Sequence, residues 1–168
     1  MPDNKDDIDL DGWDLDGAAR ENRVDVARAL IARGDDVDAR DKYGRTPLHR
    51  VGWNNSLDFA RLLIENGADI EAKALDPEKL MIEAKRGWTP LHQTAEGNSL
   101  EVARLLIEHD AEVDARDEIG QTPLHQTGLT NSLGVARLLI EHDAEVDARD
   151  RIGSTPLRMA HMVHAFEV

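Results

Sequence analysis

An internal repeat of 33 residues is the feature that most constrains this chain. The segment LEVARLLIEHDAEVDARDEIG starts at Leu100 and returns 33 residues later with 19 of its 21 positions identical. The tetrapeptide TPLH occurs at Thr46, Thr89 and Thr122, and TPLR follows at Thr155, so successive copies lie 43, 33 and 33 residues apart. One such unit is too small to bury its own apolar face, and the core therefore has to form between stacked neighbours.

Each repeat predicts two short helices. Thr46 is a good N-cap, and Pro follows it at the first helical position, where its missing N–H costs nothing. The first helix is expected to stop near Asn55, because Asn tolerates a left-handed backbone. Ser56 is then expected to cap a second helix that ends at Gly67. Two later repeats carry Asp where this one has Gly67, and a left-handed Asp costs roughly 1 kcal/mol of backbone strain.

The period and the TPLH words together resemble the ankyrin-repeat family over residues 13–168. The resemblance implies an all-α repeat solenoid, a stack of helix-turn-helix units joined by β-hairpin or loop fingers. The expected domains are a flexible acidic tail at 1–12 and one repeat domain at 13–168, with repeats at about 13–45, 46–88, 89–121 and 122–154 and a partial C-terminal cap at 155–168.

The second repeat carries an insertion of ten residues within AKALDPEKLMIEAKRGW. We expect a lengthened finger here that presents Leu80 and Met81. Insertions within repeats map to loops, often on the binding face, which favours a role in binding. A tolerated insertion without a role remains the alternative, because long surface loops cost little free energy.

Charge and composition exclude several classes of function. Lys and Arg total 20 against 34 Asp and Glu, a net charge of −14, which argues against nucleic acid and anionic membranes as partners. No Cys is present, so Cys-based catalysis and Cys metal sites are not available. The acidic start of the chain is the reverse of a signal peptide, and no long apolar run follows. A cytoplasmic protein that does not enter membranes is therefore expected.

The acidic string near the start resembles the opening of a calcium-binding EF-hand loop. Asp7, Asp9 and Asp11 precede Gly12 at suitable spacing, but Ala18 stands where the loop needs a bidentate Glu. We therefore predict no metal site and interpret the string as a solvated cap at the polar end of the stack.

No pattern predicts catalysis. His49, His92 and His125 recur at one repeat position, which is too regular for an active site. The resemblance implies instead that each imidazole braces a turn through hydrogen bonds to the backbone. No phosphate-binding loop or hydrolase motif is present. We predict no catalytic residue and no cofactor, and a protein that is not an enzyme.

The resemblance implies a non-enzymatic module that binds a protein partner on its concave face, through the finger tips and the exposed side of the first helices. Trp, Tyr and Arg dominate binding energy at protein interfaces, which favours the aromatic positions among these. An alternative for Trp53 and Trp88 is packing between neighbouring repeats. The predicted contact residues are Lys42, Tyr43, Arg45, Trp53, Asn54, Leu80, Met81, Arg86, Trp88, Glu96, Ile119, Leu129, Thr130 and Ile152.

Two further hypotheses follow from charge and from the C-terminal helix. The net charge of −14 is compatible with an acidic inhibitor or immunity protein that neutralises a basic enzyme. Met159, Met162, Val163 and Phe166 are expected to share one helical face. This face either shields the end of the stack or mediates self-association.

Overall fold

The computed structural model describes residues 8–75 and 87–164, and in these residues the chain forms helices and turns without any strand. No helix there has the length and apolar character needed to cross a bilayer. The helices are α1 (Leu15–Arg20), α2 (Val24–Arg33), α3 (Pro47–Asn54), α4 (Leu57–Glu65), α5 (Pro90–Gly97), α6 (Leu100–Glu108), α7 (Pro123–Thr130), α8 (Leu133–Glu141) and α9 (Pro156–His164).

The helices stack in two layers. The first helices α1, α3, α5, α7 and α9 pack in that order, and the second helices α2, α4, α6 and α8 pack beside them. Equivalent apolar residues fill the space between the layers. Leu48, Leu91 and Leu124 of the first helices and Leu63 and Leu106 of the second are all buried. The predicted all-α solenoid of paired helices is therefore confirmed.

The first helices begin and end where the sequence predicts. Thr46 is the N-cap of α3, and His49 at the third helical position completes a capping box with it. The helix ends at Asn55, which has a left-handed backbone with φ of 55°. Asn98 and Asn131 end α5 and α7 in the same conformation, with φ of 52° and 56°.

The predicted serine caps are not formed. Ser56, Ser99 and Ser132 stand at the N-cap positions of α4, α6 and α8, but their side chains make no capping hydrogen bond. These hydroxyls are buried and bind elsewhere: Ser56 donates to Asn54 Oδ1 at 2.9 Å, and Ser99 donates to the carbonyl of Trp53 at 3.1 Å. The prediction was wrong because it considered only partners within the helix.

The second helices end in left-handed residues, as predicted. Gly34 and Gly67 have φ of 101° and 85°, and Asp110 and Asp143 replace them with φ of 65° and 63°. An L-residue other than Gly pays a steric cost in this region, because its Cβ approaches the following carbonyl oxygen. The two Asp residues are therefore local sites of strain in an otherwise regular stack.

Apolar residues pack at both ends of the stack. Ile8, Leu10 and Trp13 pack against the core, so the folded body begins before residue 13, and residues 1–7 lie outside the described part. In α9, Met159 is buried whereas Met162 is exposed, so these two do not share one exposed apolar face. The Val163 side chain and all of Phe166 lie outside the described part of the chain.

Candidate functional site

Each finger is the turn that joins one repeat to the next, and in the first finger, residues 41–45, one aspartate closes this turn. Asp41 Oδ1 accepts the backbone N–H groups of Tyr43 at 2.8 Å and Arg45 at 2.9 Å. Asp117 and Asp150 close the third and fourth fingers by the same pair of hydrogen bonds. Each finger thus has a backbone conformation fixed by its own carboxylate.

The second carboxylate oxygen of these residues links one repeat to the previous one. Asp117 Oδ2 accepts the indole N–H of Trp88 at 3.1 Å, and Asp150 Oδ2 accepts the amide of Gln121 at 3.4 Å. Trp88 is only 3% exposed and stacks on His92. The structure therefore supports the alternative in which Trp88 packs between repeats, and its side chain has almost no surface to offer a partner.

An ion-pair network occupies the equivalent place in the first finger. Asp41 Oδ2 lies 2.7 Å from Arg45 Nη2 and 3.3 Å from Arg50 Nη2, and Arg50 also pairs with Asp16 at 2.9 Å. The Tyr43 ring lies between two cations, with Arg45 Cζ at 4.8 Å and Lys42 Nζ at 4.9 Å from its centroid. Three predicted contact residues, Lys42, Tyr43 and Arg45, thus form one ordered cluster.

The finger carboxylates differ in electrostatic environment. Burial acts to raise the pKa of Asp41, but its hydrogen bonds from Arg45 outweigh burial and hold the pKa below its usual value. Burial raises the pKa of Asp117, because its partners are neutral N–H groups and the nearby charge of Asp150 repels a second negative charge. The first finger is therefore the one in which a carboxylate is fully matched by cations.

The repeated imidazoles are structural. His49 Nδ1 accepts the N–H of Thr46 at 3.2 Å, and its Nε2 lies 2.9 Å from the carbonyl oxygen of Trp88, the residue just before the N-cap Thr89 of the next repeat. His92 and His125 make the same pair of contacts one and two repeats later. Burial lowers the pKa of His49 and of His92 to about 4, so both rings are neutral at physiological pH and bind as Nε2–H donors.

A column of exposed residues runs across the first helices. The equivalent positions are Arg20, Trp53, Glu96, Leu129 and Met162, of which Glu96 is half-buried and the other four are exposed. Trp53 is 49% exposed, Leu129 42% and Met162 54%, although all three are large and apolar. We define the first-helix face as this column together with the finger turns.

Ile152 and Ile119 extend this face at the fingers. Ile152 at the tip of the fourth finger is 85% exposed, and Ile119 at the equivalent place in the third finger is half-buried. Across residues 8–75 and 87–164, nine large hydrophobic side chains are markedly exposed. Four of them, at Trp53, Leu129, Ile152 and Met162, belong to this face.

Three other predicted contact residues also serve the stack. Asn54 Nδ2 donates to the carbonyl of Ala19 at 3.0 Å, and Thr130 Oγ1 reaches the carbonyl of Ala95 at the same distance. Both bonds join neighbouring first helices. Glu96 accepts a hydrogen bond from the Gln93 amide at 2.7 Å. These side chains border Trp53 and Leu129 but are held in place by the protein itself.

The insertion enters the second finger at a closed base. The N–H of Ala74 donates to the carbonyl of Trp88 at 2.8 Å, and the N–H of Gly87 donates to the carbonyl of Ala74 at 2.9 Å. Ala74 stands where the other fingers have the closing Asp. The predicted contacts Leu80, Met81 and Arg86 lie outside the described residues.

Comparison with known proteins agrees with this architecture. A family model described as ankyrin repeats (3 copies) matches residues 9–74 and 75–161. The chain belongs to the ankyrin-repeat family. No curated protein matches it. Ankyrin repeats are in general protein–protein interaction modules, and in the part of this ankyrin stack that the structure describes no group of three or more His, Cys, Asp or Glu side chains is placed to hold a metal ion.

Proposed function

We propose that this protein binds a protein partner on the first-helix face, with Trp53 and Leu129 as its main apolar anchors. The observation that supports the proposal is the exposed apolar column on a surface whose neighbouring polar groups are already engaged. Large aromatic and aliphatic side chains are seldom left exposed together on a surface without a binding role.

Preorganisation is the proposed mechanism. The Asp-closed fingers, the imidazole links and the ion-pair cluster around Asp41 fix the backbone on both sides of the column. A partner that docks here therefore orders few groups of this protein, and less of the interaction free energy is lost to conformational entropy. The half-buried Tyr43 and its two cations are expected to form the edge of the contact near the first finger.

Quantitative affinity capture tests the proposal. The intact chain, the Trp53→Ala/Leu129→Ala variant and the Arg61→Ala variant are used in parallel as bait in an extract of the source cells. A specific partner is retained by the intact chain and by Arg61→Ala, whose substitution lies on an exposed residue of α4 outside the first-helix face. The same partner is expected to be lost with the double variant.

Affinity for the captured protein is then measured by titration calorimetry. Trp53→Ala is expected to weaken binding at least tenfold without loss of the fold, because the side chain is half exposed and lies outside the buried core of the stack. If every retained protein bound the double variant as well as the intact chain, the first-helix face would not be the binding surface.

The basic-enzyme inhibitor remains a secondary candidate that the net charge of −14 favours. The first-helix face carries Lys42, Arg45 and Arg50 at one end, where the two Arg residues are already paired with Asp16 and Asp41, so this end offers a basic partner little attraction. Salt dependence separates the two candidates. A partner steered by the overall negative charge binds much more weakly as salt rises, whereas an apolar contact at Trp53 changes little.

A further inference from the structure

The other exposed apolar residues gather at the C-terminal end of the stack. Here a groove of about 380 Å³ lies between α8 and α9. We define it as the open-end groove. The side chains that give it its character are Leu133, Ala136, Ile140, Val146, Leu157 and Ala160. Four of these are strongly exposed: Leu133 at 70%, Leu157 at 66%, and Ile140 and Val146 at 50% each.

Equivalent residues in the internal repeats are covered. Leu157 corresponds to Leu124, Leu91 and Leu48, which are exposed by 4%, 1% and 0%. In those repeats a second helix follows and packs across the leucine and across the preceding second helix. Within residues 8–75 and 87–164 no helix covers α8 on this side. The open-end groove thus has the shape of a site that a second helix fills everywhere else in the stack.

A polar group at the groove also matches a second helix in this place. In three repeats a carboxylate at one position accepts the backbone N–H that follows the next second helix: Asp38 accepts from Asp69 and Asp114 from Glu145, at 3.1 Å in each case, and Glu71 accepts from Glu112 at 2.8 Å. Asp147 is the next member of this series and lines the groove. It presents an acceptor at the place where a further second helix would end.

A matching donor series ends at Arg149. Arg40 Nη1 donates to the carbonyl of Lys73 in the next repeat, and Arg116 Nη1 donates to the carbonyl of Arg149 in the same way. Arg149 itself is exposed and donates to Gly153 within its own finger. The open end therefore offers an apolar groove, an acceptor and a donor in the same arrangement that joins the internal repeats.

From this arrangement we propose that the open-end groove docks an amphipathic helix of a partner protein, in the place of a second helix and independently of the first-helix face. The occupant has about three turns, since α4, α6 and α8 each have 9 residues. Its apolar residues follow the spacing with which α8 packs in the stack, where Val135, Leu138 and Leu139 are buried at i, i+3 and i+4.

Charge identifies the chemistry of the occupant. Neighbouring second helices place equivalent residues side by side, and the last turn and following loop of α8 carry Glu141, Asp143, Glu145 and Asp147. A helix with Lys or Arg at its C-terminal end meets these carboxylates with opposite charge. A second copy of this chain would repeat the acid-against-acid contact that the equivalent residues after α6 and α8 already make inside the stack. A basic helix from another protein relieves this repulsion, and the groove therefore favours it over a second copy.

Peptide binding to the intact 168-residue protein tests the proposal. The probe peptide has the sequence of residues 132–149, which is that of a second helix and its arm, with Glu141→Lys, Asp143→Lys and Glu145→Lys. A matched peptide keeps the three acidic residues. Binding is followed by chemical-shift changes of the ¹⁵N-labelled protein, which also map the site. We expect the basic peptide to saturate with a Kd of about 100 µM, because a short peptide pays to form its helix.

The acidic peptide is expected to bind at least fivefold more weakly, and shift changes are expected to centre on Leu133, Ile140 and Leu157. Ile140→Asp in the protein should weaken binding of the basic peptide at least tenfold. Ile152 is also exposed but lies on the first-helix face, so Ile152→Asp should leave the affinity for the peptide unchanged. Equal binding of both peptides, no saturation at millimolar peptide, or equal effects of the two protein variants would overturn the proposal.

Sedimentation equilibrium supplies the remaining outcome. A monomer at all concentrations is expected if the groove is reserved for another protein. A dimer that Ile140→Asp dissociates would show that a second copy fills the groove, and would overturn the choice of a basic helix as occupant. None of these results depends on binding at Trp53, so failure here leaves the first-helix proposal standing, and the reverse also holds.

Discussion

The buried imidazoles show how one side chain can fix the backbone at both ends of a repeat. His92 accepts the N–H of Thr89 at its own helix start and contacts at 3.1 Å the carbonyl of Gln121, the residue just before the N-cap Thr122 of the next repeat. Both bonds require a neutral ring with its proton on Nε2. A charged ring would lose the acceptor at Nδ1 and would be poorly solvated at a fully buried position. Protonation is therefore coupled directly to the stacking of repeats.

Stability should fall on acidification through these rings. Burial lowers the pKa of His49 and His92 to about 4, against an ordinary value of 6.5. The unfolded chain binds more protons between these values, so the stabilisation is complete above about pH 6.5 and is lost as pH falls toward about 4. Each ring should contribute about 1 kcal/mol per pH unit to the slope of unfolding free energy between about pH 5 and 6.

Urea denaturation at several pH values measures this slope. The His92→Asn variant should be less stable than the intact chain near neutral pH. Its unfolding free energy should also depend less steeply on pH, by the equivalent of about one proton taken up on unfolding, and in the His49→Asn/His92→Asn variant the difference should be about two protons. Burial raises the pKa of some carboxyl groups, such as that of Asp117, and these groups contribute to the pH slope with the opposite sign. Their contribution is the same in all three proteins and therefore cancels when the slopes are compared. Parallel slopes in all three proteins would mean that the imidazoles do not titrate as described.

At the scale of the elements, two glycines show how closely the helices approach. Gly97 ends α5, and a Cβ there would lie 2.3 Å from the carbonyl oxygen of Trp53 in α3. Gly134 lies in the first turn of α8, where a Cβ would meet Leu100 Cδ2 at an ordinary 3.5 Å. The first-helix layer is thus packed backbone against backbone at Gly97, whereas α8 has room at Gly134.

The two glycines should respond oppositely to the same substitution. Gly97→Ala should destabilise the protein by about 3 kcal/mol, because the helices must separate to admit the methyl group. Gly134→Ala should stabilise it by about 0.5–1 kcal/mol through helix propensity. Chemical denaturation of both variants checks the prediction. A loss of stability in Gly134→Ala, or none in Gly97→Ala, would contradict this account of the packing.

The sequence predicted the elements well because their signals are local. Thr46, Asn55 and Gly67 mark helix ends through capping and left-handed turns, which depend only on nearby residues. Ser99 was misread because its partner, the carbonyl of Trp53, is 46 positions away. Whether Trp88 is buried was likewise open, because its acceptor Asp117 belongs to the next repeat.

Contacts between repeats also explain what the sequence did not predict about the binding surfaces. The exposed column with Trp53 and Leu129 follows from repeat position, and position can be read from the sequence. The open-end groove cannot be read from the sequence, because the exposed Leu157 has the same Thr-Pro-Leu context as the buried Leu124. Only the packing order of the helices shows that one leucine is covered and the other is not.

At the scale of the whole molecule, excess negative charge opposes the compact state. The net charge of −14 is spread over a small chain, and exposed pairs such as Arg23 with Asp25 contribute little to stability. Added salt should therefore stabilise the protein by screening repulsion among carboxylates more than it weakens exposed ion pairs.

Raising NaCl from about 20 to 200 mM should increase the unfolding free energy by about 1 kcal/mol. Urea denaturation measures the change, because urea carries no charge. Sucrose at matched osmolality is the control for effects other than screening. An unchanged or lower stability in salt would show that specific ion pairs, and not general repulsion, dominate the electrostatics of the stack.

The closed base of the second finger has a practical consequence. Because Ala74 pairs with Trp88 and Gly87 before the extra residues begin, the length of chain between them is decoupled from the repeats on either side. The entropic cost of closing such a loop grows only slowly with its length. This finger is thus a natural graft point: a foreign epitope or reporter peptide placed between Leu75 and Gly87 should be displayed from the solenoid while both flanking repeats keep their native packing.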